Sequence, residues 1–241
     1  MDADLVRRRV RVGETCATII AAGEFQELAE RAIRAARADI EAYAAGVPRF
    51  LSALEPLPVD MAAPPVVRRM AAAARLAGVG PMAAVAGAIA QEAVEALAAA
   101  GCRHAVVDNG GDVVLRIDRP VTLGVFTGDS PVCDIALRCA PRPGIFSVCT
   151  SSGTVGHSLS FGRADAALVV AEGGALADAM ATALGNRVAG RSGEAVARAI
   201  RETQAEWIEG MLVVAGEHLG TGGSLPPLVR APVDWRLASR G

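Results

Sequence analysis

A-L-A-D-A-M-A-T-A-L-G, residues 175–185, is the segment from which the fold of this chain is best predicted. Alanine and leucine favour a helix, and Asp178 and Thr182 are four residues apart in this otherwise apolar stretch. Residues at that spacing lie on the same face of a helix. The segment therefore predicts an apolar helix that presents one carboxylate and one hydroxyl side by side.

Two interpretations of this polar pair are open. Carboxylate and hydroxyl oxygens suit Mg²⁺, which takes few protein ligands and fills its shell with water and substrate phosphates. Asp178 also follows E-G-G, residues 172–174, and so lies near the predicted helix N-terminus, where the helix dipole favours anions. In the alternative, Asp178 only stabilises the first turn and Thr182 bonds to the backbone, as short polar residues near helix starts often do.

A second polar cluster, C-T-S-S-G-T-V-G-H-S at residues 149–158, lies upstream of this helix. Apolar runs at 144–148 and 166–171 predict a strand on either side of it. Glycine lets the backbone approach a ligand closely, and free amides and hydroxyls hold phosphate oxygens. The alternative is a solvated turn, because serine, glycine and threonine are common in turns.

A third motif is V-V-D-N-G-G-D-V-V-L, residues 106–115. Apolar residues flank Asn109-Gly110-Gly111, which predicts a β-hairpin because these residues tolerate positive φ. Asp108 and Asp112 bracket the turn. They are either part of a binding site or two surface acids of an ordinary hairpin.

The order of the three motifs resembles that of the ApbE-like superfamily, the FAD:protein FMN transferases. Those proteins carry a D-x-G-G-D/N element, a later T-S-G segment and an A-D-A-x-A-T-A-L helix, and the similarity covers roughly residues 82–186. With G-H-S-L-S-F-G-R-A-D at 156–165, the chain looks most like a short, uncharacterised branch of that superfamily. The resemblance implies an α+β fold in which a T-fold-like antiparallel sheet packs against long helices.

The resemblance also implies two cofactors, Mg²⁺ and FAD. Asp178 and Thr182 match the positions that bind Mg²⁺ beside the FAD phosphates. His157 is the one histidine inside a motif, and it is expected either to act as an acid or base near neutral pH or to satisfy loop hydrogen bonds. The expected cofactor-binding residues are Asp108, Asn109, Gly110, Gly111, Thr150, Ser151, Ser152, Gly153 and Thr154.

The chain departs from the transferase pattern in two motifs. The transferases have A-K-G in the helix before the hairpin, where this chain has Ala90-Gln91-Glu92 and contains no lysine at all. A Schiff-base lysine and a P-loop lysine are therefore excluded. The transferases also carry H-x-x-D-P-x-T-G, whereas S-L-S-F-G follows His157.

Three functions are consistent with these motifs. The first is Mg²⁺-dependent transfer of FMN from FAD to a protein hydroxyl, or cleavage of the FAD pyrophosphate to FMN and AMP. The second is a non-catalytic flavin or nucleotide carrier that keeps the binding loops. The third is an enzyme that uses the metal site on another small molecule, since a fold does not fix its chemistry.

Composition predicts a single domain over residues 1–241, with possible lobes at 1–80 and 81–241. A net charge of −2 and 3% aromatic residues argue against nucleic-acid partners. No basic leader with an apolar core begins the chain and no apolar run is long enough to span a membrane, which predicts a cytoplasmic protein that does not bind membranes. The expected partners are a flavin or other dinucleotide, an acceptor protein and, through the alanine-rich helices, a second copy of the chain.

Hydrophobic patterning and turn residues also predict most of the helices and strands. A strand pair is expected at 5–20, followed by an irregular connector at 48–65. A loose tail is expected at 216–241. The predicted helices are 23–45, 66–77, 81–100, the helix that carries Asp178 and 193–208, and the predicted strands are 104–108, 112–117, 122–127, 132–139, 144–149, 166–171 and 211–215.

Overall fold

The structure, a computed structural model, describes residues 5–152 and 162–232, and these form a layer of helices, a large sheet and a small sheet. The helices are α1 Gln26–Gly46, α2 Arg49–Ser52, α3 Pro65–Ala77, α4 Val85–Ala99, α5 Gly174–Arg187 and α6 Gly193–Thr203. The strands are β1 Leu5–Val12, β2 Thr15–Ala22, β3 Ala105–Asn109, β4 Asp112–Arg116, β5 Val121–Gly124, β6 Ile135–Cys139, β7 Phe146–Ser151, β8 Ala166–Ala171, β9 Gly210–Ala215, β10 His218–Gly223 and β11 Leu228–Arg230.

The large sheet is antiparallel throughout, and its strand order is β1-β2-β3-β4-β7-β8-β9-β10. The small sheet has the order β11-β6-β5 and is also antiparallel. Because β2 pairs with β3, strands from both of the expected lobes belong to one sheet. The predicted α+β class, with an antiparallel sheet packed against long helices, is confirmed.

The large sheet is buried on both faces at its centre. In β8, Ala167 and Val169 pack into the core cluster beneath the helices, whereas Leu168 and Val170 pack into the cluster beneath the small sheet. Successive strand residues point to opposite faces, so a strand covered on both sides has no polar face. This explains why residues 166–171 are apolar without alternation.

Helices α4 and α5 touch at a pair of glycines. A Cβ placed on Gly87 would lie 2.2 Å from the carbonyl oxygen of Gly174, and a Cβ placed on Gly174 would lie 2.3 Å from the carbonyl oxygen of Gly87. Only glycine permits two backbones to approach this closely. The contact sets the N-terminal part of α5, including Asp178, against the N-terminus of α4.

The stretch that contains α4 is also the most membrane-like part of the described residues. Pro81–Ala99 is long and apolar enough to span a bilayer by length and composition, and 44% of its apolar window is buried inside the protein. It packs against α1, α5, β3 and β4. This is weak evidence for a span, since the core helix of a layered domain has the same composition.

Several local predictions are wrong. The expected loose tail forms β10 and β11 within residues 216–232, because the edge of β9 and the edge of β6 supply backbone partners that no local pattern shows. The helix predicted to end at residue 208 ends at Thr203. The connector at 48–65 includes the short helix α2, whose Phe50 is fully buried and stacks edge-on against Tyr43.

Candidate functional site

The predicted hairpin turn at Gly110-Gly111 is confirmed, and it joins β3 to β4. The two glycines have φ values of +72° and +104°, which matches the two-residue turn in which both central residues require positive φ. Asn109 pairs with Asp112 across the turn, and the Oδ1 atom of Asp108 accepts a hydrogen bond of 2.9 Å from the Gly111 amide. The turn is thus held by its own aspartate.

The serine and threonine motif begins on β7, directly beside this hairpin. Asp112 pairs with Cys149 in the sheet, and a Cβ on Gly111 would lie 3.9 Å from the carbonyl oxygen of Thr150. The strand was expected to end at residue 149 but continues to Ser151, because β8 pairs with it that far. Thr150 and Ser151 are therefore fixed strand residues, and Ser152 follows them.

Asp178 on α5 approaches the hairpin and the end of β7 from the helix layer. Its carboxylate is 9% exposed, and Oδ2 accepts a hydrogen bond of 2.9 Å from the amide of Gly87 in the first turn of α4. Ala84, the residue before α4, supplies no side-chain cap, so Asp178 serves as the cap of a helix that lies 91 residues earlier in the chain. Thr182 lies one turn further along α5 and is half-buried.

Asp112, Cys149 and Asp178 form a buried cluster between β4, β7 and α5. The Cys149 Sγ atom lies 3.6 Å from the carbonyl oxygen of Gly174 at the start of α5. The pKa of Asp112 is raised to about 7, mainly by burial. Hydrogen bonds from Cys149 and the Thr150 amide lower this pKa, and the nearby charge of Asp108 raises it. The interpretation of Asp112 as a surface acid is therefore wrong.

Burial and neighbouring carboxylates also raise the pKa values of Asp178 and Cys149. Burial raises the pKa of Asp178 well above its ordinary value and the charge of Asp112 raises it further, while the amides of Gly87 and Ala86 oppose the rise. Burial, together with the two carboxylates, also raises the pKa of the Cys149 thiol. Within the described residues, no arginine or histidine forms an ion pair with Asp112 or Asp178. Among the described residues, the two carboxylates therefore lie close together without a protein cation.

The donor atoms of this cluster fit a divalent ion that takes few protein ligands. Ser151 lies two residues after Cys149 on β7, and hence on the same sheet face, and its buried hydroxyl has no hydrogen-bond partner in the described part of the chain. No set of three His, Cys, Asp or Glu side chains in the described residues has the geometry of a metal site. Two carboxylates and hydroxyls suit Mg²⁺ rather than a metal that needs three or four protein ligands.

The carboxylate cluster predicts a pH dependence for the protein without metal. A raised pKa means that the folded state holds the proton of Asp112 more tightly than the unfolded chain, so stability decreases as pH rises from about 4 to about 7. We expect the free energy of unfolding to fall by at least about 1 kcal/mol more in the wild type than in Asp112→Asn across this range. Urea denaturation with a chelator present measures this difference. Identical pH profiles for the two proteins would contradict the burial of an ionisable pair.

The residues that replace the A-K-G motif support the start of α5. Gln91 accepts a hydrogen bond of 3.3 Å from the Ala175 amide through Oε1 and donates one of 2.7 Å to Glu95 through Nε2. Glu95 is held by two hydrogen bonds from Arg69, of 2.6 and 2.9 Å. Asn109 Nδ2 donates to the carbonyl oxygen of Ala86 at 3.1 Å and thereby ties the hairpin to α4. Apart from Gln91 and Glu95, which are one turn apart in α4, the partners lie on different elements, so sequence patterns did not indicate these supports.

The structure thus brings together the three predicted motifs around the α4–α5 contact. Of the predicted site residues, Gly153, Thr154 and His157 lie outside the described residues. Asn109, Ser151 and Asp178 lie at the cluster, Gly110 and Gly111 form the adjoining turn, Ser152 follows Ser151, and Thr182 lies one helical turn beyond Asp178. Asp108 and Thr150 alternate with Asn109 and Ser151 along their strands, so their side chains point to the other face of the sheet.

Comparisons with known proteins identify the family of this chain. Residues 2–207 match the family described as AbpE bacteria. The UPF0280 protein of Methanocella arvoryzae is 46% identical over 233 residues, which are 97% of this chain and 95% of that protein. The UPF0280 protein of Methanothrix thermoacetophila is 44% identical over 240 residues, which are 98% of this chain and 100% of that protein.

Two solved structures share the fold. The flavin transferase ApbE from Vibrio cholerae has a TM-score of 0.59 and 13% sequence identity, with 92% of this chain and 97% of that chain covered. The Pseudomonas stutzeri flavinyl transferase ApbE in its apo form has a TM-score of 0.56 and 14% sequence identity, with 91% of this chain and 94% of that chain covered. At these identities the likeness shows the fold alone. The family match spans most of the chain, so this chain belongs to the AbpE bacteria family.

Proposed function

We propose that this protein binds a flavin dinucleotide, FAD, through Mg²⁺ held at Asp178 and Thr182, and that it acts on the diphosphate. The observation that carries the proposal is the buried pair Asp112 and Asp178 beside a glycine hairpin, two neighbouring carboxylates for which residues 5–152 and 162–232 supply no cation. Burial of like charges is costly unless a cation offsets it. The solved structures that share the fold are named as flavin transferases, which supports a flavin as the ligand.

Each residue has a defined part in this proposal. Asp178 and Thr182 would hold the ion, and Asp112 and Ser151 would offer further oxygen atoms to it. The bound ion would offset the charge of the diphosphate and polarise the phosphoryl group that is attacked. The glycine hairpin lets the backbone lie against the dinucleotide without side chains in between. His157 is proposed as the acid or base that moves the proton of the attacking hydroxyl.

The proposed reaction is a phosphoryl transfer in which one bond to phosphorus forms and one breaks. The attacking oxygen forms a bond to the phosphorus of the FMN half, the bond from that phosphorus to the bridging oxygen breaks, and AMP leaves. In transfer, the attacking group is a serine or threonine hydroxyl of an acceptor protein. In hydrolysis it is water, and the products are FMN and AMP.

A non-catalytic carrier is the second candidate, and the position of Gln91 favours it. The residue that stands where the transferases have lysine is committed to Ala175 and Glu95, and so serves as a structural support. A protein that kept the diphosphate site but lost a reacting group would bind FAD and release it unchanged.

One experiment separates these functions. Purified protein is mixed with FAD and Mg²⁺, and the solution is separated by chromatography to measure FAD, FMN and AMP. Release of AMP, with FMN free or attached to an added serine- and threonine-containing peptide, supports the enzyme. Tight Mg²⁺-dependent binding without AMP supports the carrier. No binding of FAD with or without Mg²⁺ would overturn the flavin proposal.

A further inference from the structure

Strand β1 carries four arginines and no acidic residue. Its sequence is L-V-R-R-R-V-R-V, residues 5–12, and all four arginines are exposed. In the whole β1–β2 hairpin, residues 5–22, the one acidic residue is Glu14. Its side chain is 96% exposed and lies 3.8 Å from Arg37 of α1. The hairpin therefore concentrates positive charge on its first strand.

The arginines of β1 are divided between the two faces of the sheet. Val10 packs into the core cluster beneath the helices, and Arg8 donates a hydrogen bond of 2.6 Å to Glu30 on α1. Because successive strand residues point to opposite faces, the other three arginines lie on the face that carries the small sheet, about 7 Å from one to the next. We call these three residues the arginine strip: Arg7, Arg9 and Arg11.

β1 is also a terminal strand of the large sheet. It stands first in the strand order, and within residues 5–152 and 162–232 it pairs with β2 alone. The amides and carbonyls on the outer side of a terminal strand are a template for an added strand. An added strand places alternate side chains opposite the arginine strip, because the two backbones have the same repeat.

The charge of the arginine strip selects among the possible occupants of this edge. In an antiparallel pairing of β1 with a second copy centred on Arg9, each arginine of the strip would face another arginine, and like charges directly opposite destabilise a sheet. Residues 5–22 contain no aromatic side chain on which the bases of a nucleic acid would stack. An extended peptide with acidic residues at alternate positions matches both the backbone and the charges.

Protection against unwanted pairing does not by itself account for the arginine strip. Charged residues on an edge strand do discourage aggregation. The opposite edge of the same sheet is β10, however, and its sequence H-L-G-T-G-G has no arginine, lysine or acidic residue. The arginines are thus a particular feature of β1 and not of both edges.

We propose that the outer edge of β1 binds an extended acidic segment of a partner protein. The segment adds to the large sheet as a further strand, with its carboxylates opposite the arginine strip. Each opposite-charge pair stabilises the added strand, and the backbone hydrogen bonds fix its register. This inference is independent of the proposed function, because neither a flavin nor Mg²⁺ takes part in the contact.

The test uses the full chain and a synthetic peptide in which glutamate alternates with threonine. We expect the triple variant Arg7→Gln, Arg9→Gln, Arg11→Gln to bind this peptide about tenfold more weakly than the wild type in a calorimetric titration at low ionic strength, because three charge pairs are lost.

The matched control removes the same charge from exposed positions elsewhere. It is the triple variant Arg49→Gln, Arg75→Gln, Arg201→Gln, whose affinity should stay within about twofold of the wild type. Backbone pairing has its own measurement, which needs no variant. Amide hydrogen exchange of the wild type should slow in β1 when the peptide is bound and should stay unchanged in β10.

Three results would overturn the inference. If both triple variants lose affinity equally, general attraction to positive charge holds the peptide. If the wild type does not bind the peptide, or binds it without slower exchange in β1, no strand is added there. If single-stranded DNA binds more tightly than the peptide and loses its affinity in the strip variant, the strip is a nucleic-acid surface instead. The exchange measurement keeps the test decisive if the strip variant does not fold.

Discussion

Replacing Asp178 with asparagine is expected to abolish Mg²⁺-dependent binding of FAD while the protein stays folded. The asparagine side chain keeps a carbonyl oxygen that accepts the Gly87 amide, so the cap of α4 is retained. It removes the charge that would hold the ion. Outer-shell partners of metals are worth about 10- to 100-fold in affinity, so loss of a direct ligand should cost at least about 100-fold.

Asp178→Ala separates the two roles of this carboxylate. Alanine removes both the charge and the cap, and it leaves the Gly87 amide buried without a partner, which costs about 1 to 3 kcal/mol. Asp178→Asn should cost much less or even stabilise the metal-free protein, because Asp112 then loses its repelling neighbour. Calorimetric titration with Mg²⁺ and FAD and urea denaturation of the three proteins measure both effects. Unchanged Mg²⁺ dependence in Asp178→Asn would show that Asp178 is only a cap.

Gly87→Ala should give the largest loss of stability of the substitutions considered. Its Cβ would lie 2.2 Å from the carbonyl oxygen of Gly174 and 2.8 Å from the Cβ of Asp178, so the two helix backbones must separate. Overpacking of a well-packed core costs about 1 to 3 kcal/mol and occasionally more, and the contact here is backbone, which has no alternative rotamer. We expect a loss of about 3 kcal/mol. Because Asp178 moves with α5, binding of Mg²⁺ should also be lost.

Gly46→Ala is the matched control for this substitution. Gly46 is also a helical glycine, at the end of α1, but a Cβ there would have no atom within 4 Å. Alanine should therefore stabilise the protein by up to about 1 kcal/mol, as expected from helix propensity alone. Thermal unfolding of the two variants and the wild type tests the pair. If Gly87→Ala unfolds at the same temperature as the wild type, α4 and α5 do not touch through Gly87 and Gly174.

Local patterns were sufficient for elements whose stability depends on residues close in the chain. The turn at Gly110-Gly111 followed from residues that tolerate positive φ, and α5 followed from a run of helix-favouring alanines. The strand β10 could not be predicted in this way, because three of the six residues in H-L-G-T-G-G are glycines and only Thr221 favours strands. It forms because β9 supplies the backbone partners, and Gly220 and Gly222 lie against α6.

The sequence by itself determined the chemistry that the site offers: a carboxylate and a hydroxyl one helical turn apart, a glycine hairpin, and a cluster of hydroxyls in a fixed order along the chain. Only the tertiary structure decided that Asp112 is buried opposite Asp178, that Asp178 caps α4, and that Gln91 supports α5. These features join elements that lie far apart in sequence, and their energies come from burial and from contact between backbones. A local pattern carries information about neighbours along the chain, whereas the charge of a buried carboxylate depends on which distant residues surround it.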